Sequence, residues 1–563
     1  MLGQMMQRPL LIADILKHAQ TAFSDSEIIS RVNDKSIHSQ NFCDLAVRAA
    51  KLAHAIQMRG IKMGDRVATL AWNGHQHLEL YYAISGMGAI CHTINPRLPV
   101  ESIAYIINHA EDKLLFIDPG FIPLIDEVLP HLDAPPQIVI MAAHNAEPTE
   151  FPAEMQIEHH HYEAMIEAMP DHFDWPEFDE NTASGICYTS GTTGSPKGVL
   201  YSHRSTVLHA FQVGLSFSKA LQEGARILPL VPLFHVNAWG LPFTCPLVGA
   251  SMVFAGQHLD GPSLYDLITT QKVTSAWGVP TVLTTLLQEI ESRGETPKSL
   301  TNILVGGSAV SASFITAYEN LGISVNHAWG MTEMSPIGTQ GNLPAKREGQ
   351  NIGPEIIATK LRQGRKIFGI DMKIMDQNGA EIPQDGKLSG ELYVRSNTTA
   401  SQYYKNDEAT AEAFHDKGWF RTGDIANIDR SGNLLITDRA KDLIKSGGEW
   451  ISSLEHENII MSHDDIAQCA VIAVPHEKWD ERPVIVAVAN SVQIDKDSML
   501  TSKDSPHTEK LFGELVQMLS QHFPKWQMPD DLILLETLPL TATGKISKLK
   551  LRQKFKKKFG EII

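Results

Sequence analysis

Residues 188–198 read Y-T-S-G-T-T-G-S-P-K-G, a loop with three glycines, five Ser or Thr hydroxyls and one lysine. So few apolar side chains cannot form core. The stretch can instead bend tightly and turn backbone N–H groups, hydroxyls and one mobile ammonium toward a polyphosphate. It is not a Walker A loop, which needs G-x-x-x-x-G-K-[ST]. Here Gly191 is followed by a glycine three residues on, and Gly198 stands after Lys197 where Ser or Thr would be required.

Upstream of this loop the chain alternates helical and short apolar patterns. Residues 41–59 read as a helix with Phe42, Leu45, Ala49, Leu52 and Ala53 on one side, 66–70 as a strand, 77–86 as a helix and 138–141 as a buried strand. The rhythm predicts layered α/β. The G-M-G-A-I-C stretch at Gly86 ends in Cys91 where a Rossmann fingerprint needs glycine. The E-H-H-H-Y run at Glu158 reads as a surface turn, because three adjacent histidines do not easily converge on one ion. No internal repeat is evident. Downstream, apolar runs at 227–231, 252–254 and 303–305 extend the α/β pattern. Residues 364–395 switch to short alternating strands (368–375 and 390–394) joined by N-G and D-G turns, a small antiparallel or barrel-like unit. About 120 residues then follow D-R-A-K-D at 438–442, with a mobile-looking polar stretch near 495–508. The fold class expected is α/β: a large N-terminal region of layered sheets plus a small β-barrel, and a smaller, mobile α+β C-terminal domain.

At 563 residues the chain exceeds one ordinary core. No run reaches the roughly 18 apolar residues of a membrane span, and the first residues lack the pattern of a secretion signal. Five dispersed cysteines without a C-x-x-C pair suggest a reducing, cytoplasmic setting. A net charge of −17 argues against a nucleic-acid binder, so an anionic substrate must be held by local groups. Residues 545–558 depart from this acidity with eight Lys or Arg and no acid. They read as a solvated amphipathic terminal helix; a peripheral membrane contact and a homodimer are compatible with the sequence.

Four further segments carry chemistry. In H-A-W-G-M-T-E (327–333) an indole can stack on a base, a hydroxyl can bond phosphate and Glu333 is a hard oxygen ligand suited to Mg²⁺. In W-F-R-T-G-D (419–424) Asp424 follows a turn glycine and could hold a ribose diol. In D-R-A-K-D-L-I-K-S-G-G-E-W-I-S (438–452) Lys445 precedes a backbone able to approach a ligand. In P-L-T-A-T-G-K (539–545) Lys545 ends a second hydroxyl-rich glycine turn.

Together and in this order, these segments closely resemble the signature motifs of the adenylate-forming (AMP-binding) superfamily, over about residues 40–552. The likeness is nearest to bacterial medium- and long-chain fatty-acyl-CoA ligases and methylthiopropionate-CoA ligases. It is carried also by A-T-L-A-W-N-G-H at Ala68, H-T-I-N-P-R-L at His92, L-Y-S-H-R-S-T-V-L-H at Leu200 and F-H-V-N-A-W-G at Phe234. The resemblance implies an adenylation domain at 1–438, a lid domain at 439–563 and a hinge at Lys441. It implies ATP, Mg²⁺ and coenzyme A. Thr189, Ser190, Gly191, Thr192, Thr193, Gly194 and Lys197 would cover the phosphates, Thr332 would contact phosphate and Glu333 would hold the metal. Trp329 would stack on adenine beside Gly330, with Gly307 and Ser308 lining the base or acyl site. Asp424 and Arg439 match ribose-binding positions, and Lys545 the lysine of adenylation. Lys445, Gly447 and Gly448 match the face presented to CoA. Phe234, His235, Val236, Trp239 and Gly306 would border the acid. Tyrosine is the usual residue where Trp329 stands.

The implied reaction joins a carboxylic acid to CoA through an acyl-adenylate, releasing pyrophosphate and then AMP. The aromatic and apolar mix of the acid-bordering residues suits an alkyl tail. Medium- to long-chain fatty acids are therefore the first expectation, and 3-methylthiopropionate or another short or branched acid the alternative. A nucleotide sensor without turnover would need neither Lys545 nor the K-S-G-G-E-W face. A luciferase-like oxygenase would emit light without CoA.

Overall fold

A computed structural model describes residues 1–33, 35–142, 151, 158–189, 195–341, 343, 352–415, 418–490, 500–501, 505–541 and 545–559. Two seven-stranded sheets form the bulk of the chain. The first runs His159–His161, Gln137–Ile140, Asp112–Ile117, Arg66–Leu70, Ile90–Thr93, Ala183–Thr189, Lys197–Ser202, parallel up to its antiparallel last pair. The second runs Ser324–His327, Asn302–Val305, Ser275–Gly278, Arg226–Pro229, Ser251–Phe254, Glu27–Arg31, Ile37–Asn41, with the same antiparallel edge.

Six strands of each sheet run parallel, and the five from His159–His161 to Ile90–Thr93 in one and from Ser324–His327 to Ser251–Phe254 in the other, numbered among themselves by chain order, both stand in the order 5-4-3-1-2. The architecture is thus duplicated where the sequence shows no repeat, because backbone order can be shared while every side chain differs. In such sheets ligands gather beyond the carboxyl ends of the strands, next to the point where strand order reverses. That is where the motifs fall. Gly306 and Gly307 follow Asn302–Val305, Trp329 follows Ser324–His327, and Phe234 lies five residues beyond Arg226–Pro229. These strands read as short continuous apolar runs because helices cover both faces; all four residues of Ser251–Phe254 are buried.

Helix Phe42–Met58 starts where Asn41 accepts from the Asp44 N–H and Asp44 reciprocates, a capping box. His75–Gly86 is buried on all sides. Its neighbours hold a polar cluster around buried Glu79, which accepts from Gln40, Arg48 and Tyr162. The histidine run at 159–161 is not the expected surface turn. It is an edge strand, paired with Gln137–Ile140 through backbone groups that do not depend on the ring chemistry.

The antiparallel unit is larger than expected. A curled half-barrel runs Thr339–Gln340, Gly364–Lys366, Asn433–Arg439, Trp419–Ile428, Gly390–Arg395, Asp371–Met375. Its last strand begins only at Asp371, since Gly369 turns the chain at φ 85°. A smaller, separately folded α+β domain follows, in which Asp480–Ala489 pairs with Ile466–His476 and Asp531–Leu534. Helices Ser453–Ile460 and Pro506–Ser520 cover one face of its sheet and Lys548–Phe559 the other, each with its own apolar cluster. The terminal basic helix is amphipathic as expected, with Leu551 and Phe555 in the core. The stretch near 495–508 falls partly outside the described residues, and from Pro506 it is helix. Among the described residues no helix is long and apolar enough to cross a membrane.

Candidate functional site

The glycine-rich loop closes an antiparallel pair. Thr189 ends strand Ala183–Thr189, Lys197 opens strand Lys197–Ser202, and the two are register partners. A Walker A loop joins a strand to a helix, so this one differs in architecture as well as in spacing. Ser190, Gly191, Thr192, Thr193 and Gly194 lie outside the described residues.

Lys197 places its ammonium 5.0 Å from the centre of the Tyr403 ring. The Tyr403 hydroxyl donates to Glu333 Oε1 at 2.7 Å. The short turn Thr332–Met334 is pinned on its other side by Tyr201, whose hydroxyl donates to the Thr332 carbonyl at 2.7 Å, and by the Ala400 N–H on the Glu333 carbonyl. Burial raises the pKa of Glu333; the Tyr403 hydroxyl and the charges of Arg439 and Lys197 offset part of that rise. Sequence reading missed Tyr201 and Tyr403. The Y-Y pair at 403–404 offered a signal, but its distance from Glu333 in the chain hid the contact.

Trp329 is buried, and its indole N–H donates to Asp424 Oδ2 at 2.8 Å. Asp424 Oδ1 receives Arg439 Nε at 2.7 Å. A carboxylate offers about four lone-pair sites, of which these two contacts take two. Asp424 lies within strand Trp419–Ile428, after Gly423 at φ 70°. Two nearby glycines pack too closely to carry a side chain. A Cβ on Gly338 would come 2.9 Å from the Trp329 ring, and one on Gly330 would come 2.1 Å from the Pro336 carbonyl oxygen.

Lys545 stands at a tight turn, its N–H donating to Thr541 Oγ1. Its Cε lies 3.6 Å from where Gly307 would carry a Cβ. Burial first, and then the charges of Arg439 and Lys441, lower its pKa to about 8 against the opposing charge of Asp424. His235 faces the same ammonium; burial chiefly, and then that charge, lower it to about 4, so the ring is neutral. Lys545 thus shares one site with Gly307, His235, Asp424 and Arg439. Ser308 is exposed beside Gly307.

The residues expected to border the acid are shaped by an unusual turn. Val236, Asn237, Ala238 and Trp239 all have left-handed backbone, with φ of 48°, 52°, 44° and 59°, before Gly240 at 81°. Non-glycine residues adopt this at a cost of about 1–2 kcal/mol each. Contacts hold it: Tyr81 donates to the Leu233 carbonyl at 2.6 Å and to Asn237 Oδ1 at 3.0 Å. The turn directs the Trp239 indole onto Gly306, where a Cβ would lie 3.1 Å from Trp239 Cη2 and 3.0 Å from the Ala328 carbonyl oxygen. Phe234 and Val236 are buried alongside. Only Asn237 and Gly240 hinted at such a turn in the sequence.

One expected group is not brought in. Lys445, Gly447 and Gly448 lie on the hairpin Ile444–Ser446/Glu449–Ile451 of the small domain. The Lys445 N–H donates to Glu481 and the Trp479 ring covers Gly447. Among the described residues, no hydrogen bond or ion pair joins this hairpin to Glu333, Asp424 or Lys545. Of the two lysines, the small domain places Lys545 beside Gly307 and His235.

The described residues hold no cluster of three or more His, Cys, Asp or Glu able to build a metal site alone. A single buried carboxylate with one oxygen held by Tyr403 suits Mg²⁺, which takes one or two carboxylates and draws its other ligands from phosphates and water.

Trp329, Asp424 and Arg439 converge here with Lys545, which comes from a second domain, and the chain's likenesses agree with that division. Residues 16–404 match the model of AMP-binding enzymes and residues 455–545 that of the AMP-binding enzyme C-terminal domain. Over 557 residues the chain is 43% identical to a 3-methylmercaptopropionyl-CoA ligase of Ruegeria lacuscaerulensis, covering 99% of both chains. It is equally 43% identical to a medium-chain-fatty-acid–CoA ligase of Ectopseudomonas oleovorans, covering 99% of this chain and 98% of that one. Its fold matches the crystal structure of the anthranilate CoA ligase AuaEII in complex with anthranoyl-AMP, with a TM-score of 0.82 at 23% identity over 98% of each chain. By matched domains and by whole-length relatives alike, the chain belongs to the AMP-binding enzyme family.

Proposed function

We propose that this enzyme is an ATP-dependent, AMP-forming acid–thiol ligase whose acid is short, in the size class of 3-methylthiopropionate. The observation that carries the size assignment is the Trp239 indole packed against Gly306 and near the Ala328 carbonyl; if the acid lies against Gly306, the ring limits the room for an extended alkyl tail. The alternative acid of the sequence reading is thereby favoured over medium- and long-chain fatty acids. The 3-methylmercaptopropionyl-CoA ligase likeness supports the same choice, while equal identity to a medium-chain ligase leaves the argument to the ring.

In the first half-reaction a carboxylate oxygen attacks the α-phosphorus of ATP, the bond from that phosphorus to the bridging oxygen breaks, and pyrophosphate leaves. The acid is already ionised near neutral pH, so no general base is required. Lys545 stabilises the charge gathering on the α-phosphate and carboxylate oxygens. Trp329 stacks on adenine, Asp424 and Arg439 take the ribose hydroxyls, and Lys197 with Thr189, Thr332 and residues 190–194 holds the phosphates. Glu333, oriented by Tyr403, would hold Mg²⁺, which when bound supplies charge neutralisation to the phosphates. In the second half-reaction the CoA sulfur attacks the acyl carbon, AMP leaves and the thiol proton passes to solvent. Lys445, Gly447 and Gly448 lie outside the site, so we assign this step to a second arrangement reached by rotation at Lys441, between units 1–438 and 439–563.

Two experiments test this reading. A panel of acids from C3 to C18 with 3-methylthiopropionate, scored by AMP release and by thioester mass, should peak among the short acids. A maximum at C12 or longer would overturn the size assignment. Lys441→Pro, by stiffening the backbone, should retain ATP–pyrophosphate exchange and lose thioester formation from supplied acyl-adenylate. Normal thioester formation by that variant would refute the hinge.

A further inference from the structure

Asp438 joins the two units. Its backbone belongs to the half-barrel, where strand Asn433–Arg439 pairs with Trp419–Ile428 and Asp438 is the register partner of Ile425. Its carboxylate points into the small domain and is almost fully buried. There it accepts from the Ser453 N–H at 2.6 Å, from Ser453 Oγ at 2.9 Å and from the Leu454 N–H at 3.4 Å. These are the first two residues of helix Ser453–Ile460, whose next N–H, on Glu455, is taken by Ser452. One domain therefore caps the first helix of the other. Ser452 adds a parallel tie, its hydroxyl donating to the Thr437 carbonyl at 2.6 Å. On the far side Ser453 Oγ accepts from Lys548 at 2.6 Å, and the Lys548 ammonium also pairs with Glu457 at 2.7 Å. The chain of contacts from Asp438 thus reaches Lys548, three residues past Lys545.

We propose that Asp438 is a positioning residue that latches the small domain in the arrangement delivering Lys545, and so sets the balance between the two half-reactions. The inference rests on the proposed two-step reading. Helix N-terminal N–H groups favour a carboxylate, and hydrogen bonds to an ionised acceptor are stronger than neutral ones. They are also short-ranged. A displacement of a few ångströms at the domain junction breaks all three, so the cap exists in one arrangement and is absent from the other. The Lys548–Glu457 pair lies within the small domain and moves with it, whereas Asp438 stays behind with the half-barrel.

The test compares Asp438→Ala, Asp438→Asn and Lys545→Ala in the full chain. Asp438→Ala is expected to lower ATP–pyrophosphate exchange about tenfold while thioester formation from supplied acyl-adenylate stays within about twofold. Asp438→Asn keeps one acceptor oxygen and should fall between Asp438→Ala and the parent. Spin labels placed one on each domain should show the short interdomain distance depopulated in Asp438→Ala. Equal loss of both half-reactions in a folded Asp438→Ala, or unchanged exchange with an unchanged distance distribution, would overturn the latch. If Lys545→Ala spares exchange, the reading of Lys545 fails on its own, and the interdomain distance then judges the latch alone.

Discussion

Lys545→Ala should lower ATP–pyrophosphate exchange by about 10²–10³-fold, the range seen when one preorganised donor to a developing oxyanion is removed. Thioester formation from supplied acyl-adenylate should survive, because the proposed second arrangement uses the hairpin at 444–451 for that step and not this ammonium. The environment of Lys545 adds a pH signature. Burial and the neighbouring cations Arg439 and Lys441 depress its pKa to about 8. The charged, active form therefore prevails below that value and is lost as pH rises through it. The kcat/KM for ATP reports groups of the free enzyme, so it should decline above about pH 8. That limb should vanish in Lys545→Ala. Equal loss of both half-reactions in a folded variant, or a limb that persists without Lys545, would remove the lysine from its assigned role.

Trp239→Ala should shift acid preference toward longer chains. The indole fills the space beside Gly306 and Ala328, and removing it opens room along the hydrophobic cluster that contains Leu241 and Trp277. At about 0.8 kcal/mol per buried methylene, four newly accommodated methylenes favour the longer acid by about 3 kcal/mol, or roughly 10²-fold in the ratio of kcat/KM values. Emptying a core tryptophan site also costs about 3–5 kcal/mol of stability. The ratio is nevertheless robust, because both acids are measured on the same folded fraction. Trp239→Phe should give a smaller shift in the same direction. An unchanged ratio in a folded Trp239→Ala would show that the ring does not limit chain length.

Much of the fold could be read along the chain because it is carried by local signals. Apolar runs of four or five residues became parallel strands, and Asn41 with Asp44 started a helix where a capping box predicts one. The extent of the half-barrel was harder to see, since its pairings join residues as far apart as Gly364 and Leu434. The duplicated strand order was invisible for a related reason. It is a property of topology, which side-chain identity does not repeat. At the site, Trp329, Glu333 and Asp424 stood out in short motifs as candidates for base, metal and sugar. Tyr403, Tyr201 and Tyr81 did not, because each works by donating one hydroxyl to a group far away in sequence.

The class of chemistry was legible in short motifs, since a glycine turn with hydroxyls and a lysine, or an indole next to a carboxylate, keeps its reactivity wherever the chain carries it. Two matters rested on contacts between distant segments. The small domain offers Lys545 rather than the Lys445 hairpin because a carboxylate from the half-barrel caps its first helix. The acid is read as short because a strained left-handed turn, held by Tyr81, lays an indole over Gly306. Each depends on a separation of a few ångströms between residues that lie tens to hundreds of positions apart, or on a backbone form that local propensity disfavours, and neither quantity is written in any single stretch of the chain.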